Sequence, residues 1–514
     1  MQCIMTSYEK LPQSLSDGDN NNENDDDIYN DTYNVILPQS LSDSDNSINE
    51  NSDDPEIKDE NILSNRDKPS LLGYEVLIGL SQDIYILIFT KIIRLFAYGF
   101  LAVMLVLYLA ELGFTITNIG LLFSLTLIGD ALISLAITSN ADRYGRRKML
   151  IVGGVLAVVT SSIFIITSNF WILLLVSTFG VISPSGNEIG PFMSIELSSM
   201  SEISKDSDRT RLMAWYNLVG SFSTAAGSLF CGILISTFNE VFNFSLLSSY
   251  RMVMVVYVML KLILCFFFFK LSPAIEPKKT QENTKLFLGL HKSQAIVAKL
   301  SVLFMIDSFA GSLILQSLIT NWFHLVWNTS ATKLGSIIFV CNILAGISAL
   351  FAARLADFIG LIMTMVVTHL PSNIMIMLVP LLPNETLAMI MLCARFSISQ
   401  MDVPTRNAYV QGVVAADERS AANGITNIVR SVGASLGPFL AGLLYNNKTT
   451  ISYPFYIAGL LKIIYDLLLL HSFKSIKPPE ELVNFNKIND DSNKANDTQI
   501  TTKNDNYNDD NDKS

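Results

Sequence analysis

The sequence predicts an all-α membrane protein of twelve transmembrane helices in two pseudo-symmetric six-helix bundles. Three observations predict it: an apolar composition, twelve hydrophobic runs of spanning length, and an internal duplication. Half of the 514 residues are hydrophobic and 16% are charged. The mean hydropathy is +0.39, too apolar for an ordinary soluble enzyme. The formal net charge of -11 gathers at the ends, since residues 1–70 hold 17 acidic and 4 basic side chains and the stretch from Lys477 onward holds 9 and 5. The region between is basic, with its charges set between apolar runs.

A helix needs roughly 20 apolar residues to cross the hydrocarbon core. Runs of that kind lie at about 84–111, 117–139, 149–168, 170–194, 212–236, 251–270, 297–324, 332–354, 360–381, 385–407, 421–445 and 451–471. The longest hydrophilic connection, 271–296, divides them six and six. The expected organisation is a disordered acidic tail (1–80), an N-terminal bundle (81–270), a linker (271–296), a C-terminal bundle (297–472) and a second disordered tail (473–514). Both tails are too polar to bury enough apolar surface to offset chain entropy. The first contains LPQSLSDGDN from Leu11 and LPQSLSDSDN from Leu37, read as low-complexity expansion rather than a docking motif presented twice. No cleavable signal is expected ahead of the first span.

Basic residues collect after spans 2, 4 and 6 (Arg143, Arg146, Arg147, Lys148; Lys205, Arg209; Lys278, Lys279, Lys285, Lys292), whereas the connections after spans 1 and 3 hold none. Short basic loops stay cytoplasmic, so both termini are expected there. The sequons at Asn243, Asn328, Asn384 and Asn447 then fall in outward connections and are glycosylation candidates, although Asn30 and Asn496 show that chance sequons occur in the tails. Four of the five cysteines, Cys231, Cys265, Cys341 and Cys393, sit in apolar runs and suggest no disulfide framework.

Two related halves account for several matches in the same order along the chain. Arg94-Leu-Phe-Ala aligns with Asp307-Ser-Phe-Ala, Pro184-Ser-Gly-Asn187 with Pro404-Thr-Arg-Asn407, and Ala141-Asp-Arg-Tyr-Gly145 with Ala356-Asp-Phe-Ile-Gly360. Asp208-Arg209, Asn217, Gly227 and Gly232 match Glu418-Arg419, Asn427, Gly437 and Gly442. The stretch Asp142-Arg-Tyr-Gly-Arg-Arg-Lys-Met-Leu150, with its degenerate copy at Ala356–Gly360, resembles the loop between helices 2 and 3 that marks the major facilitator superfamily. The resemblance covers about residues 80–472, with Thr138 replacing the opening Gly of the signature. Ile182–Pro191 and Met401–Tyr409 resemble a largely uncharacterised bacterial and fungal branch. Membership implies two bundles rocking about a cavity lined by helices 1, 4, 7 and 10. The loop residues Asp142, Arg143, Gly145, Arg146, Asp357 and Gly360 would then form a conformational gate, Asp142 approaching the start of helix 11 near Ala421 when the cavity opens outward.

Charges inside the bilayer cost roughly 2.5 kcal/mol or more each, so those retained pair or line a polar path. Arg94, Asp130, Glu188, Asp307, Arg406 and Arg430 are such charges. Arg94 and Glu188 are expected to meet, as are Asp307 and Arg406, with acid and base exchanged between the halves; static ion pairs tying helices together remain the alternative. Prolines in spans 4 and 10 open those helices, which makes Ser185, Asn187, Glu188, Asp402, Thr405, Arg406 and Asn407 the choices for solute contact. Asp130 and Glu188 are the candidates for a coupling proton. His369 reads as a structural hydrogen bond rather than a proton relay, and Phe266–Phe269, Trp322 and Trp327 as lipid-facing and interfacial anchors.

The function expected is secondary active transport of a small solute, coupled to protons, by a monomer in the plasma membrane or a vacuolar or other endomembrane. No cofactor, metal, enzymatic activity or nucleic-acid partner is expected, and no Gly-x-x-x-x-Gly-Lys-Ser/Thr loop offers ATP as the energy source. The rivals are a drug or metabolite efflux antiporter and a nontransporting receptor or scaffold. The helix 5 signature of drug antiporters is missing from Gly220–Gly232, a similar Gly433-Ala-Ser-Leu-Gly437-Pro438 lies in helix 11, and the sugar-transporter loop signatures are absent.

Overall fold

The computed structural model describes Leu77, 79–183, 191–204, 206–276, Leu290, 292–415, 418–476 and Pro478, without side chains for 206–211 and Ser420. The candidates Ser185, Asn187 and Glu188, nearly all of the acidic N-terminal tail and of the C-terminal tail, and much of the linker lie outside the described residues. In chain order the helices are α1 (Gln82–Glu111), α2 (Ile116–Tyr144), α3 (Arg146–Ile166), α4 (Phe170–Phe179), α5 (Phe192–Ile203), α6 (Asp206–Ser236), α7 (Leu246–Lys270), α8 (Gln294–Ser312), α9 (Gln316–Trp327), α10 (Ala331–Ile359), α11 (Leu361–Leu378), α12 (Glu385–Ser399), α13 (Asp402–Val413), α14 (Arg419–Leu444) and α15 (Tyr453–Phe473).

Among the described residues, 11 segments are long and apolar enough to cross a membrane, counting α8 with α9 and α12 with α13 as single segments. The run at 170–194, where prolines are expected to open the helix, holds two short helices, α4 ending at Phe179 and α5 beginning at Phe192, with 180–183 non-helical and 184–190 outside the described residues. Spans 7 and 10 are also broken, at Leu313–Leu315 and at Gln400–Met401. Pro404 lies beyond its break, in the first turn of α13, where a missing N–H costs nothing. Starts are fixed by short polar side chains that accept from orphan amides: Ser81 from Ile84, Thr115 from Asn118, Asn169 from Trp171, Ser330 from Lys333 and Asn384 from Leu387.

The expected gate loops are barely loops. Asp142 and Arg143 belong to the last turns of α2, and Asp357 to α10; each helix runs straight into the next through one glycine. Gly145 (φ +106°) and Gly360 (φ +86°) adopt backbone that side chains disfavour, which is why a glycine stands at both corners. The corner end of the molecule is called the loop end here, and the opposite end, carrying Leu112–Thr115 and Asn328–Ser330, the far end.

The apolar core divides unequally between the two ends. At the far end one continuous cluster joins both halves, from Leu101 and Phe123 to Trp322, Ile338 and Phe455. At the loop end the halves keep separate cores, one around Leu87, Leu150 and Phe268 and the other around Leu300, Tyr409 and Leu469. Trp322, expected as an interfacial anchor, is 1% exposed in the joined core, and Phe268 is buried, while Phe266 and Phe269 are exposed as expected. Hydropathy records that a run is apolar; it does not say which face meets protein.

Two seams close the far end, and they repeat. On one, Thr117 of α2 donates to the Gly442 carbonyl of α14 (3.3 Å) and Asn446 donates to Thr117 (2.5 Å). On the other, Thr332 of α10 donates to the Gly232 carbonyl of α6 (3.2 Å), and Ser236 bonds Thr332. Glycines allow both approaches. A Cβ on Gly120 would come within 2.3 Å of the Pro438 carbonyl oxygen, and one on Gly335 within 2.5 Å of the Ser228 carbonyl oxygen.

Candidate functional site

Each half holds a buried charge cluster where a long helix passes the short helix after a break. In the N-terminal half, Arg94 of α1 grips Glu196 of α5 with both nitrogens of its fork (Nη1 to Oε1 2.6 Å, Nη2 to Oε2 2.7 Å), and both side chains are fully buried. Two parallel bonds of this kind fix orientation as well as charge. The Tyr216 hydroxyl of α6 donates to Glu196, Thr90 donates to the same carboxylate (3.4 Å), and the Phe192 ring lies under the guanidinium. Lys91 sits over the Tyr216 ring (4.0 Å). Arg94 therefore meets an acid the sequence reading did not select, while Glu188, its expected partner, lies outside the described residues.

In the C-terminal half, Asp307 of α8 accepts from Lys462 of α15 (2.5 Å) and from Arg406 of α13 (3.2 Å). Arg406 also donates to Asp402, one turn earlier on its own helix (3.2 Å). All four are buried. Arg430 of α14 donates through Nε to Ser308 (3.3 Å) rather than to a carboxylate. Asp307, Asp402 and Arg406 are thus brought together. Thr405 turns its hydroxyl to the Met401 and Asp402 carbonyls, and Asn407 is exposed.

A third group extends this cluster between α11 and α15. His369 Nδ1 lies 2.8 Å from Asp466 Oδ1, and Asn373 donates to Asp466 Oδ2 (2.8 Å). Asp130 of α2 stands apart, 1% exposed, with neither carboxylate oxygen hydrogen-bonded among the described residues.

At the loop end, Arg146 Nε donates to Asp142 (2.8 Å), and its Nη1 donates to the carbonyls of Ser198 (3.3 Å) and Ile275 (3.2 Å). Glu276 accepts from the backbone N–H of Arg146 (2.6 Å) and Arg147 (3.3 Å), the first amides of α3. The sequon asparagines Asn243 and Asn328 take positive φ in turns, and Asn384 is occupied as the cap of α12.

Sequence reasoning missed Glu196, Lys462 and Asp466. Glu196 lies two residues past the boundary assigned to span 4. Lys462 and Asp466 were legible as an acid and a base four residues apart in an apolar run, which places them on one helix face.

The chain is 27% identical over 426 residues to the uncharacterised membrane protein YJR124C of Saccharomyces cerevisiae, covering 77% of this chain and 95% of that one. Among solved structures it resembles the nucleoside transporter NupG (TM-score 0.58, 14% identity, 77% of this chain and 100% of that one). It also resembles a bacterial homolog of the human lysosomal transporter Spinster in an inward-facing, occupied conformation (0.59, 13%, 75% and 95%). A third likeness is to a D-xylose-proton symporter (0.56, 12%, 76% and 97%). At such identities these structures speak for the fold alone. The family model of the Major Facilitator Superfamily matches residues 87–398 and 300–490, and the chain belongs to that superfamily of membrane transporters.

Proposed function

We propose that the protein is a secondary active transporter that moves a small solute by alternating access and draws on a proton gradient. The observation that carries this reading is the unequal core: one apolar cluster fuses the halves at the far end, while separate cores serve them at the loop end. Halves joined at one end only can rock about that junction. The seams at Gly120–Gly442 and Gly232–Gly335 rest on close contacts and a few hydrogen bonds, the kind of packing that has two discrete arrangements. With the loop end cytoplasmic, as the basic residues indicate, this arrangement opens inward and both termini are cytoplasmic.

Proton coupling rests on Asp130. It is buried in α2 with neither carboxylate oxygen hydrogen-bonded among the described residues, and burying an ionised carboxylate without partners is costly. The two charge clusters either contact solute or hold the halves rigid, and Asn407, next to Arg406 on α13, is exposed.

The test begins with untargeted metabolite profiling of cells lacking and overproducing the protein. The solute that changes is then offered to proteoliposomes under imposed pH gradients of either sign. Accumulation that follows the gradient supports the reading, and its direction separates uptake from efflux. No solute moved under either gradient would overturn it in favour of a receptor or scaffold.

A further inference from the structure

His369 and Asp466 face each other between α11 and α15. Nδ1 of the imidazole lies 2.8 Å from Oδ1 of the carboxylate, and the other carboxylate oxygen accepts from Asn373 (2.8 Å). His369 is 4% exposed and Asp466 0%. The Tyr465 ring stands edge-on to the imidazole (centroids 6.0 Å apart). Neither side chain contributes to the transport reading above. We propose that the His369–Asp466 pair is a proton-binding site of the C-terminal half, and that its occupancy is read at Asp307 through Lys462.

The chemistry follows from charge balance. Asp307 and Asp402 are met by Lys462 and Arg406, and Arg430 is turned to Ser308, so Asp466 is the acid of this group whose hydrogen-bonding neighbours, His369 and Asn373, bring no permanent charge. Histidine alone among these neighbours gains and loses a proton near neutral pH. With Nδ1–H donating to Asp466, an added proton forms a bond to Nε2 and leaves the Nδ1–H donation intact, so the pair becomes imidazolium and carboxylate. Lys462 and Asp466 are four residues apart on one face of α15. With His369 neutral, Asp466 competes with Asp307 for the Lys462 ammonium. With His369 protonated, Asp466 is neutralised and Lys462 is left to Asp307, to which it donates in this structure.

The other charged groups on helices packed against α11 are Arg395 of α12, and Asp402 and Arg406 of α13. Those of α10, Lys333, Arg354 and Asp357, are exposed at its two ends, with Lys333 paired to Glu385 of α12. None of these reaches Asp466 by a hydrogen bond among the described residues.

The site can be tested without a known solute, so its failure is separable from failure of the transport reading. The chain contains 4 histidines. Histidine-labelled full-length protein in lipid nanodiscs, followed by NMR, should show one signal that is missing from His369→Gln. That signal should change reversibly with pH, and Asp466→Asn, which removes the carboxylate 2.8 Å from Nδ1, should alter that pH response. A second readout is the distance between spin labels at the exposed loop-end positions Tyr144 and Phe358: its distribution should change over the same pH range and become pH-insensitive in His369→Gln. Should His369→Gln fail to fold, replacing His291, His324 and His471 with Gln leaves His369 as the single signal. A signal constant across the range, or an unchanged pH response of the label distance in the variant, overturns the proposal.

Discussion

Glu196 and Arg406 are each the fifth residue of a twelve-residue helix that follows a break in its span, and each is gripped by a residue of opposite charge on the first helix of its half. The halves therefore keep one ion-pair position and exchange its signs: Arg94 with Glu196, Asp307 with Arg406. A duplicated fold that conserves the place of a pair but reverses it preserves the buried bond, since either polarity satisfies both partners. What the two places do not share is company. Glu196 has tyrosine and threonine hydroxyls, while Asp307 has a second cation, Lys462.

This relationship makes the first prediction. Glu196→Gln removes a charge that is paired with the fully buried Arg94 guanidinium, at a cost of about 3–5 kcal/mol. Thermal unfolding of the purified protein should register a large loss, and Arg94→Glu with Glu196→Arg should recover part of it. A double variant no more stable than either single one would show that the surroundings, Phe192 and Tyr216 among them, accept only one polarity.

The seam glycines give the second. Gly120→Ala places a methyl against the Pro438 carbonyl, and Gly335→Ala places one against the Ser228 carbonyl. Overpacking of this kind costs about 1–3 kcal/mol, charged here to the far-end-closed state alone. Since about 1.4 kcal/mol changes a ratio of states tenfold, a cysteine introduced at Ser124, which is buried in the seam and accepts from the Phe439 N–H, should become markedly more reactive to a water-soluble thiol reagent in either variant. Unchanged reactivity in both would mean that the seam does not open.

The spans, the duplication and the signature corners were legible because each rests on local physics: run length, repeated spacing, and glycine where φ is positive. The partner of Arg94 was not. Aligning Pro184-Ser-Gly-Asn with Pro404-Thr-Arg-Asn implies an offset of 220, whereas α5 and α13 begin at Phe192 and Asp402, an offset of 210. The register of a short helix is set by where its break falls, and breaks such as Leu313–Leu315 carry no proline to announce them. Trp322 was misplaced for a related reason, since its burial against Phe455 and Trp327 depends on which neighbour covers that face.

Cys341 of α10 and Cys393 of α12 supply a third prediction. Their sulfurs lie 3.8 Å apart, close enough for a bond after a small side-chain rotation. Treatment with copper phenanthroline in air should remove two protons and two electrons and join them, seen as loss of both alkylatable thiols and a cross-linked peptide, reversed by dithiothreitol. Persistent alkylation of both cysteines after treatment would place α10 and α12 further apart than described.

Asp130 yields the fourth. Asp130→Asn is close to isosteric and removes a carboxylate with no hydrogen-bond partner among the described residues, so stability should hold or rise. Gradient-driven accumulation of the solute should fail, while exchange of solute across the membrane continues. Accumulation that keeps its dependence on the pH gradient in this variant would remove Asp130 from coupling.

The last prediction concerns the corner at Gly145, where two side chains in contact should behave differently. Asp142 has a side chain 67% exposed, and its bond to Arg146 is a surface pair within one helix–corner–helix unit. Such pairs are worth about 0–1 kcal/mol, so Asp142→Asn should leave the unfolding temperature nearly unchanged. Arg146 is buried and carries more, because its guanidinium also satisfies the Ser198 and Ile275 carbonyls and so ties α3 to α5 and to the segment after α7. Arg146→Ala strands those carbonyls and should cost about 1–3 kcal/mol. In the arrangement described here Asp142 has little else to do. If it serves the gate, it does so when the loop end closes and the first amides of α14, beginning at Arg419, come near, a position that attracts an acid. Asp142→Asn should then slow transport and lengthen the time spent open at the loop end, measured by labels at Tyr144 and Phe358, without loss of stability. Normal transport with an unchanged label distance would leave Asp142 as a cap for Arg146 and nothing more.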